Sequence, residues 1–339
     1  MELKRVGVDL AKRVFQVHGV DAGERPVVRK ALSRTQMRLF FQNLQPTLIG
    51  MEACGSAHYW ARELAALGHE VKLIPPQFVK PYVKSNKNDA NDAEAICEAV
   101  SRPTMRFVTV KSAEQQAMQS VHRVRSRVVK ARTALVNEIR GLLAEFGLSI
   151  DTLGVAAVRK ALPGFLEDGE NGLPGTFRAL LSELYEELLT MEARVAVLNQ
   201  QLAAHADADE RVRQVQQLPG IGPISASAVL ASVGDAKQFK SGRDFAAWLG
   251  LVPSQHSSGG KSRLGGISKR GDAYLRTLLI HGARACVTAS DGKTDRRSRW
   301  IQDLMTRRNK NIATVAVANK NARILWAMLS RHEDYRASA

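Results

Sequence analysis

Between residues 4 and 20 the chain alternates apolar and polar positions in two short β-rich runs, KRVGVDL (4–10) and RVFQVHGV (13–20), parted by Ala11 and Lys12. A third run, RPVVRKAL (25–32), follows the turn DAGE. Period-two patterning rich in Val predicts a three-stranded antiparallel meander. The spacing then lengthens to that of a helix in TQMRLFFQNL (35–44), returns to a strand in PTLIGMEAC (46–54), and repeats the cycle with AHYWARELAAL (57–67) and HEVKLIPP (69–76). Strands that alternate with helices are expected to join a sheet in parallel. A final helix, DANDAEAICEAV (89–100), closes an α/β domain over residues 1–108.

Beyond it the pattern is helical almost throughout. Ser112 to Phe146 lacks proline and carries His122, Arg123, Arg125, Arg127, Lys130 and Arg132 within a short stretch. After a Gly/Pro-containing connection, residues 174–205 place Leu181, Leu184, Leu188, Met191, Val195 and Leu198 three or four apart. That seam predicts either an antiparallel coiled-coil arm over residues 109–207 or two plain core helices of a bundle. Residues 208–339 open with LPGIG (218–222) between two helical stretches, as in a helix-hairpin-helix. Gly220 and Gly222 there would let backbone N–H groups meet a phosphate, unless the segment is a simple tight turn. A Ser/Gly-rich basic segment, VPSQHSSGGKSRLGGISKRGD (252–272), reads as a loop fit for chemistry or phosphate contact, and three mainly helical segments follow.

Charge narrows the partners. The chain carries a formal net charge of +16, and from Arg211 to Ala339 there are 22 Lys/Arg against 8 Asp/Glu, so the C-terminal third holds most of the excess. Nucleic acid is the expected partner, bound with counterion release. Arg123, Arg127, Lys261, Arg263, Lys269, Arg270 and Arg276 are the candidate contacts. Three scattered cysteines, Cys54, Cys97 and Cys286, suggest neither disulfides nor zinc and point to a reducing, cytoplasmic setting. A signal peptide and a membrane-length apolar run are not expected.

Against this basic background four acids stand out. Asp9 lies in the first strand, Glu52 ends the fourth, and Asp89 and Asp92 open the helix at 89–100, three apart and so on one face. Taken singly, Asp9 could be a turn residue, Glu52 a surface acid, and Asp89 or Asp92 an N-cap. Taken together they can converge on a divalent cation, and hard oxygen donors suit Mg²⁺ or Mn²⁺. Two such ions about 3.5 to 4 Å apart can serve phosphoryl transfer. Asn86, Lys87 and Asn88 would then lie near the phosphate backbone.

The meander with Asp9, then Glu52, then Asp89 and Asp92, resembles an RuvC-type, RNase H-like domain. With LPGIGPISASAVLASVG, the Ser/Gly loop and the basic C-terminal helices, the chain resembles the DEDD transposases of bacterial insertion sequences, the IS one-ten family and its one-one-one-one group, relatives of the pilin-gene inverting recombinase. The resemblance implies α/β plus α architecture: the RuvC-like domain, a coiled-coil arm and a helical transposase domain with a helix-hairpin-helix. It implies that the four acids bind Mg²⁺ and that Ser258 forms a covalent link to DNA. It also implies dimers and tetramers with the acids of one subunit beside the serine of another, a structured guide RNA pairing with donor and target DNA, and a nucleoid-associated bacterial setting. From the residues alone, neighbouring Ser257 and a metal-activated water stay open as nucleophiles, the latter as in a junction-resolving nuclease. A purely architectural or RNA-binding protein would leave four convergent acids without a role.

Overall fold

The computed structural model describes residues 2–84 and 88–336, so Asn86 and Lys87 lie outside the described residues. The chain forms two compact units, one of residues 1–116 with 233–238 and one of residues 117–232 with 239–339.

In the first unit β1 (Arg5–Asp9), β2 (Val14–Val20) and β3 (Pro26–Ser33) make the antiparallel meander. β4 (Leu48–Glu52) pairs parallel to β1 and β5 (Glu70–Ile74) parallel to β4, which gives the order β3-β2-β1-β4-β5. Helices α1 (Arg34–Gln42) and α2 (Ala57–Ala66) make the crossovers that parallel pairing requires. Strand alternation then sorts the side chains by face. Val6, Val8, Ile49 and Met51 are fully buried in one cluster with Phe15, Met37, Phe41, Trp60 and Leu64. Gly7, Asp9, Gly50 and Glu52 have the opposite parity, and on that face Gly7 and Gly50 meet α4 (Asp89–Val100), reached through the short helix α3 (Pro76–Val79).

Two glycines set how closely α4 lies on the sheet. A Cβ at Gly7 would stand 2.2 Å from the Ala93 carbonyl oxygen and 2.4 Å from the Cys97 nitrogen, and one at Gly50 would stand 2.8 Å from Val100 Cβ. Any side chain at Gly7 therefore collides with helix backbone, so glycine there is a requirement of the packing.

In the second unit, α5 (Ala113–Ala144, from residue 117) and α7 (Gly175–Ala208) run antiparallel. Val128 packs with Val195 and Leu198, while Ile139 and Leu143 share a cluster with Leu181 and Leu188 at the far end. Between them the expected connection holds a helix, α6 (Val155–Glu167), with Val158 and Leu162 fully buried against that far end. Gly154, Pro163 and Gly164 read as breakers, yet the apolar positions 155, 158, 162, 165 and 166 follow helical spacing and their burial prevails over the proline. Next come α8 (Glu210–Gln216), α9 (Pro223–Val233) and α10 (Gly242–Trp248). The Ser/Gly-rich segment, expected as a loop, is a β-hairpin of β6 (Pro253–Gln255) and β7 (Leu264–Ile267). Helices α11 (Ala273–Thr288), α12 (Arg296–Arg307) and α13 (Lys310–Arg331) complete the unit. None of the described helices is long and apolar enough to cross a membrane.

Candidate metal centre and nucleic-acid surfaces

Parallel register brings the first two acids to one edge. Gly7 stands opposite Gly50 and Val8 opposite Met51, so Asp9 and Glu52 end neighbouring strands on the same face. Helix α4 then lies across that face, and its first turn presents Asp89 and Asp92. Carboxylate oxygens of Asp9, Asp89 and Asp92 all lie within 4.8 Å of one another. Glu52 stands outside this trio, near enough for its charge to act on Asp9.

The first-turn aspartates are not the helix cap. Asn88 is in extended conformation and its side chain accepts a hydrogen bond of 2.8 Å from the Asn91 N–H. With the cap supplied by Asn88, the sequence expectation that Asp89 or Asp92 could cap is corrected, and both carboxylates are left for the cluster. Among the described residues none of Asp9, Asp89 and Asp92 forms an ion pair with Lys, Arg or His.

The electrostatics follow from this crowding. Burial, and then the charges of Asp89, Asp92 and Glu52, push the Asp9 carboxyl up to about 6. Like charges held together without a cation are costly, and a divalent ion is the partner that would relieve them. The donor set of carboxylate oxygens fits a hard cation of the Mg²⁺ or Mn²⁺ class. Cys54, half-buried beside these acids, has its thiol raised by burial and then by Glu52 and Asp9.

Two residues of the centre, Gly7 and Gly50, escaped the sequence reading, and Asn88, read there as a neighbour of the phosphate backbone, is the cap of α4. Each glycine precedes its acid by two positions, in Gly7-Val8-Asp9 and Gly50-Met51-Glu52, and a glycine inside a β-run is the available signal for close backbone approach.

The remaining candidate residues belong to the second unit. At the hairpin tip Gly259 (φ 55°) and Gly260 (φ 75°) form the turn that lets the Lys261 N–H donate to the Ser258 carbonyl at 3.1 Å. The Ser257 hydroxyl accepts from the Gln255 side chain at 2.9 Å and from the Arg263 N–H at 3.4 Å. Ser258 is exposed, and its hydroxyl makes no hydrogen bond among the described residues. Lys261, Arg263, Lys269 and Arg270 are exposed on and after the hairpin. Arg276 is half-buried, and its guanidinium donates to the carbonyls of Leu249 and Arg270, so it braces the segment beneath them.

Gly220 turns inward, where a Cβ would stand 2.7 Å from the Gly282 carbonyl oxygen, while Gly222 is exposed at the start of α9. Arg123 and Arg127 are exposed on α5 and line a cavity of about 440 Å³ with Lys130 and Tyr274. Beneath them His122 is buried, bonded to the Tyr274 hydroxyl at 3.1 Å and the Ser227 hydroxyl at 3.2 Å. Burial, and then the charges of Arg125 and His205, lower its pKa to about 4, so its ring is neutral at pH 7.

Two family models match the chain: a DEDD transposase model of the IS110 type over residues 6–147 and the Transposase IS116/IS110/IS902 family over residues 212–299. A protein described as a probable family 20 transposase of Pseudomonas aeruginosa is 63% identical over 99% of both chains. The transposase for insertion sequence element IS1111A of Coxiella burnetii is 48% identical, over 100% of this chain and 93% of its own. The transposase for insertion sequence element IS1328 of Yersinia enterocolitica is 42% identical over 96% of each.

Proposed function

The chain belongs to the IS116/IS110/IS902 family of DEDD transposases, and from that premise we propose that it cuts and rejoins DNA at the ends of an insertion sequence through a serine–DNA intermediate. The observation that carries this reading is the trio Asp9, Asp89 and Asp92, packed within 4.8 Å beneath a helix end and without a cationic side chain among the described residues. These three, with Glu52, would hold Mg²⁺. When bound, such an ion supplies Lewis-acid stabilisation of a phosphate that exchanges one oxygen for another.

The chain's own residues would do the rest. Ser258 is the favoured nucleophile because its hydroxyl is uncommitted among the described residues, whereas that of Ser257 is held by Gln255 and Arg263. In the first step a Ser258 Oγ–P bond forms, the P–O3′ bond breaks, and the hydroxyl proton ends on the departing 3′ oxygen. A new 3′ hydroxyl reverses this step, so the phosphodiester energy is kept and no nucleotide cofactor is consumed. Lys261, Arg263, Lys269 and Arg270 would neutralise the phosphates flanking the cut. The resemblance to the family further supports a structured guide RNA that selects donor and target DNA, and dimers and tetramers in which the acids of one subunit serve the serine of another.

The test is incubation with Mg²⁺, element-end DNA and the cognate RNA, followed by a denaturing gel. A protein–DNA adduct lost in Ser258→Ala is expected. Cleavage that leaves a 5′ phosphate and no adduct would replace the serine with a metal-activated water.

A further inference from the structure

The C-terminal helices of the second unit enclose a groove that neither the acidic centre nor the serine hairpin uses. Its volume is about 1600 Å³, and much of its floor is one face of α13, where Ile312, Val315, Ala316 and Ile324 are apolar. Ile312 is 50% exposed there and continues the apolar face of Val315, Ala316 and Ile324. The 22-residue helix offers roughly 33 Å of length at 1.5 Å per residue.

The walls are aromatic and cationic. Trp300 of α12 lines the groove, and the Lys320 ammonium stands 4.0 Å from the centroid of its ring. Arg243 and Arg323 line it as well. None of these three cations forms an ion pair among the described residues. Burial lowers the Lys320 pKa, as do Arg297, Arg296 and Arg323 after it, which marks a locally uncompensated positive field. Of the two carboxylates at the tail end of the groove, Asp334 already accepts from the Gln214 and Gln217 side chains.

We propose that this groove binds a single polynucleotide strand, its unpaired bases against the apolar floor and the Trp300 ring, and its phosphates on Arg243, Lys320 and Arg323. The combination of an apolar floor with a cationic wall selects this ligand. A duplex keeps its base faces stacked inside and would leave Ile312, Val315 and Trp300 without contacts, whereas an unstacked strand offers both phosphate and π-face at every step. A phosphate that draws Lys320 aside also bares the indole face for a base. A second copy of the chain is disfavoured by charge, because its own C-terminal third is equally cationic. The site needs none of the chemistry proposed above and is tested without divalent metal, so failure of either leaves the other standing.

The experiment measures binding of the full chain to labelled oligo-dT, oligo-U and a hairpin duplex across a salt series, with 5-iodouracil crosslinking to map the contact. Both single strands should crosslink to α12–α13 peptides containing Trp300, and the preference between oligo-dT and oligo-U identifies which strand the groove takes. Trp300→Ala should weaken single-strand binding by about 5- to 150-fold and leave duplex binding unchanged. The double variant Lys320→Gln, Arg323→Gln alters two exposed residues and so keeps the fold; it should reduce the slope of log affinity against log salt by about 1.4. Equal losses for strand and duplex, or crosslinks confined to other helices, would overturn the proposal. So would sedimentation in which the double variant changes oligomeric state while strand affinity holds, since a second copy would then be the occupant.

Discussion

The acidic centre and the serine hairpin are built by opposite physical rules. The acids sit on two strand ends and a helix start, locked by a helix that touches the sheet through Gly7 and Gly50. The serine sits on an exposed turn between strands of three and four residues, with two glycines at positive φ. A cluster of like charges must be held against its own repulsion, which demands rigid support on regular elements. The nucleophile proposed at Ser258 would have to meet a bulky polymer and then release it, which an open tip allows. The difference teaches where substitutions should act: through charge and packing at the acids, through a single oxygen atom at the hairpin.

The sharpest way to break this comparison is to remove one functional atom from each region. If the acids hold Mg²⁺ as proposed, Asp9→Asn or Asp92→Asn should lower strand cleavage by roughly 10³-fold or more, because each removes a proposed ligand. Nucleic-acid affinity should stay within about twofold, because the basic surface is untouched. Ser258→Ala should also bind normally and yield no adduct, while Ser257→Ala retains one. Cleavage gels and gel shifts on the same preparations check both arms, and loss of binding in the acid variants would make those carboxylates structural.

Next in size is the packing that holds the acids. Gly7→Ala places a methyl 2.2 Å from the Ala93 carbonyl oxygen, so α4 must shift or the strand must bend. A cost of about 3 kcal/mol or more is expected from urea unfolding, together with loss of cleavage. Gly259→Ala is the counterpart on the hairpin, where no atom lies within 4 Å of the added carbon. Only its φ of 55° is strained, for about 1 kcal/mol. Equal destabilisation by the two would erase the distinction between a packed and an open site.

These sites differ also in how legible they were. The five strands and α4 follow from period-two runs and a helical run with clear breaks, and the acids stand out because an unpaired carboxylate within a buried sheet is expensive and two more share one face at a helix start. Asn88 was obscured by its neighbours, since Asn and Asp at a helix start satisfy the same N–H groups and only geometry separates cap from cluster. Separation of Glu52 from the closest trio is likewise set by three-dimensional placement, which residue spacing does not encode. Helix α6 was hidden because Pro163 and two glycines outweigh a five-residue apolar pattern in any local reading, while tertiary burial decides otherwise. The hairpin was hidden for the reverse reason: its strands, of three and four residues, are too short to show alternation, and the two turn glycines carry the signal.

A smaller test separates the second unit from the first by pH. His122 has a native pKa of about 4 against 6.5 when unfolded, so between those values the unfolded chain binds more protons. Its contribution to stability is complete above pH 6.5 and falls as pH drops toward 4, by at most about 3 kcal/mol. His122→Gln should remove that slope while keeping hydrogen bonds to Tyr274 and Ser227 within reach. Urea midpoints at pH 7 and pH 4.5 read the effect, and an unchanged slope in the variant would assign acid sensitivity elsewhere.

The smallest expected effect bears most directly on how the acids are held. Asn88→Ala removes the acceptor for the Asn91 N–H and should cost about 1 kcal/mol of stability. If Asn88 alone caps α4, Asn88→Asp restores that stability, because aspartate accepts the same bond. It also adds a negative charge one residue before Asp89, and this should raise the divalent-ion concentration needed for half-maximal cleavage or lower it, according to whether the new carboxylate competes for the ion or joins it. If stability is unaffected by Asn88→Ala, one of the two aspartates has taken over as cap. The first turn of α4 then trades capping against the cluster, and the acidic centre is less rigid than its contrast with the hairpin requires.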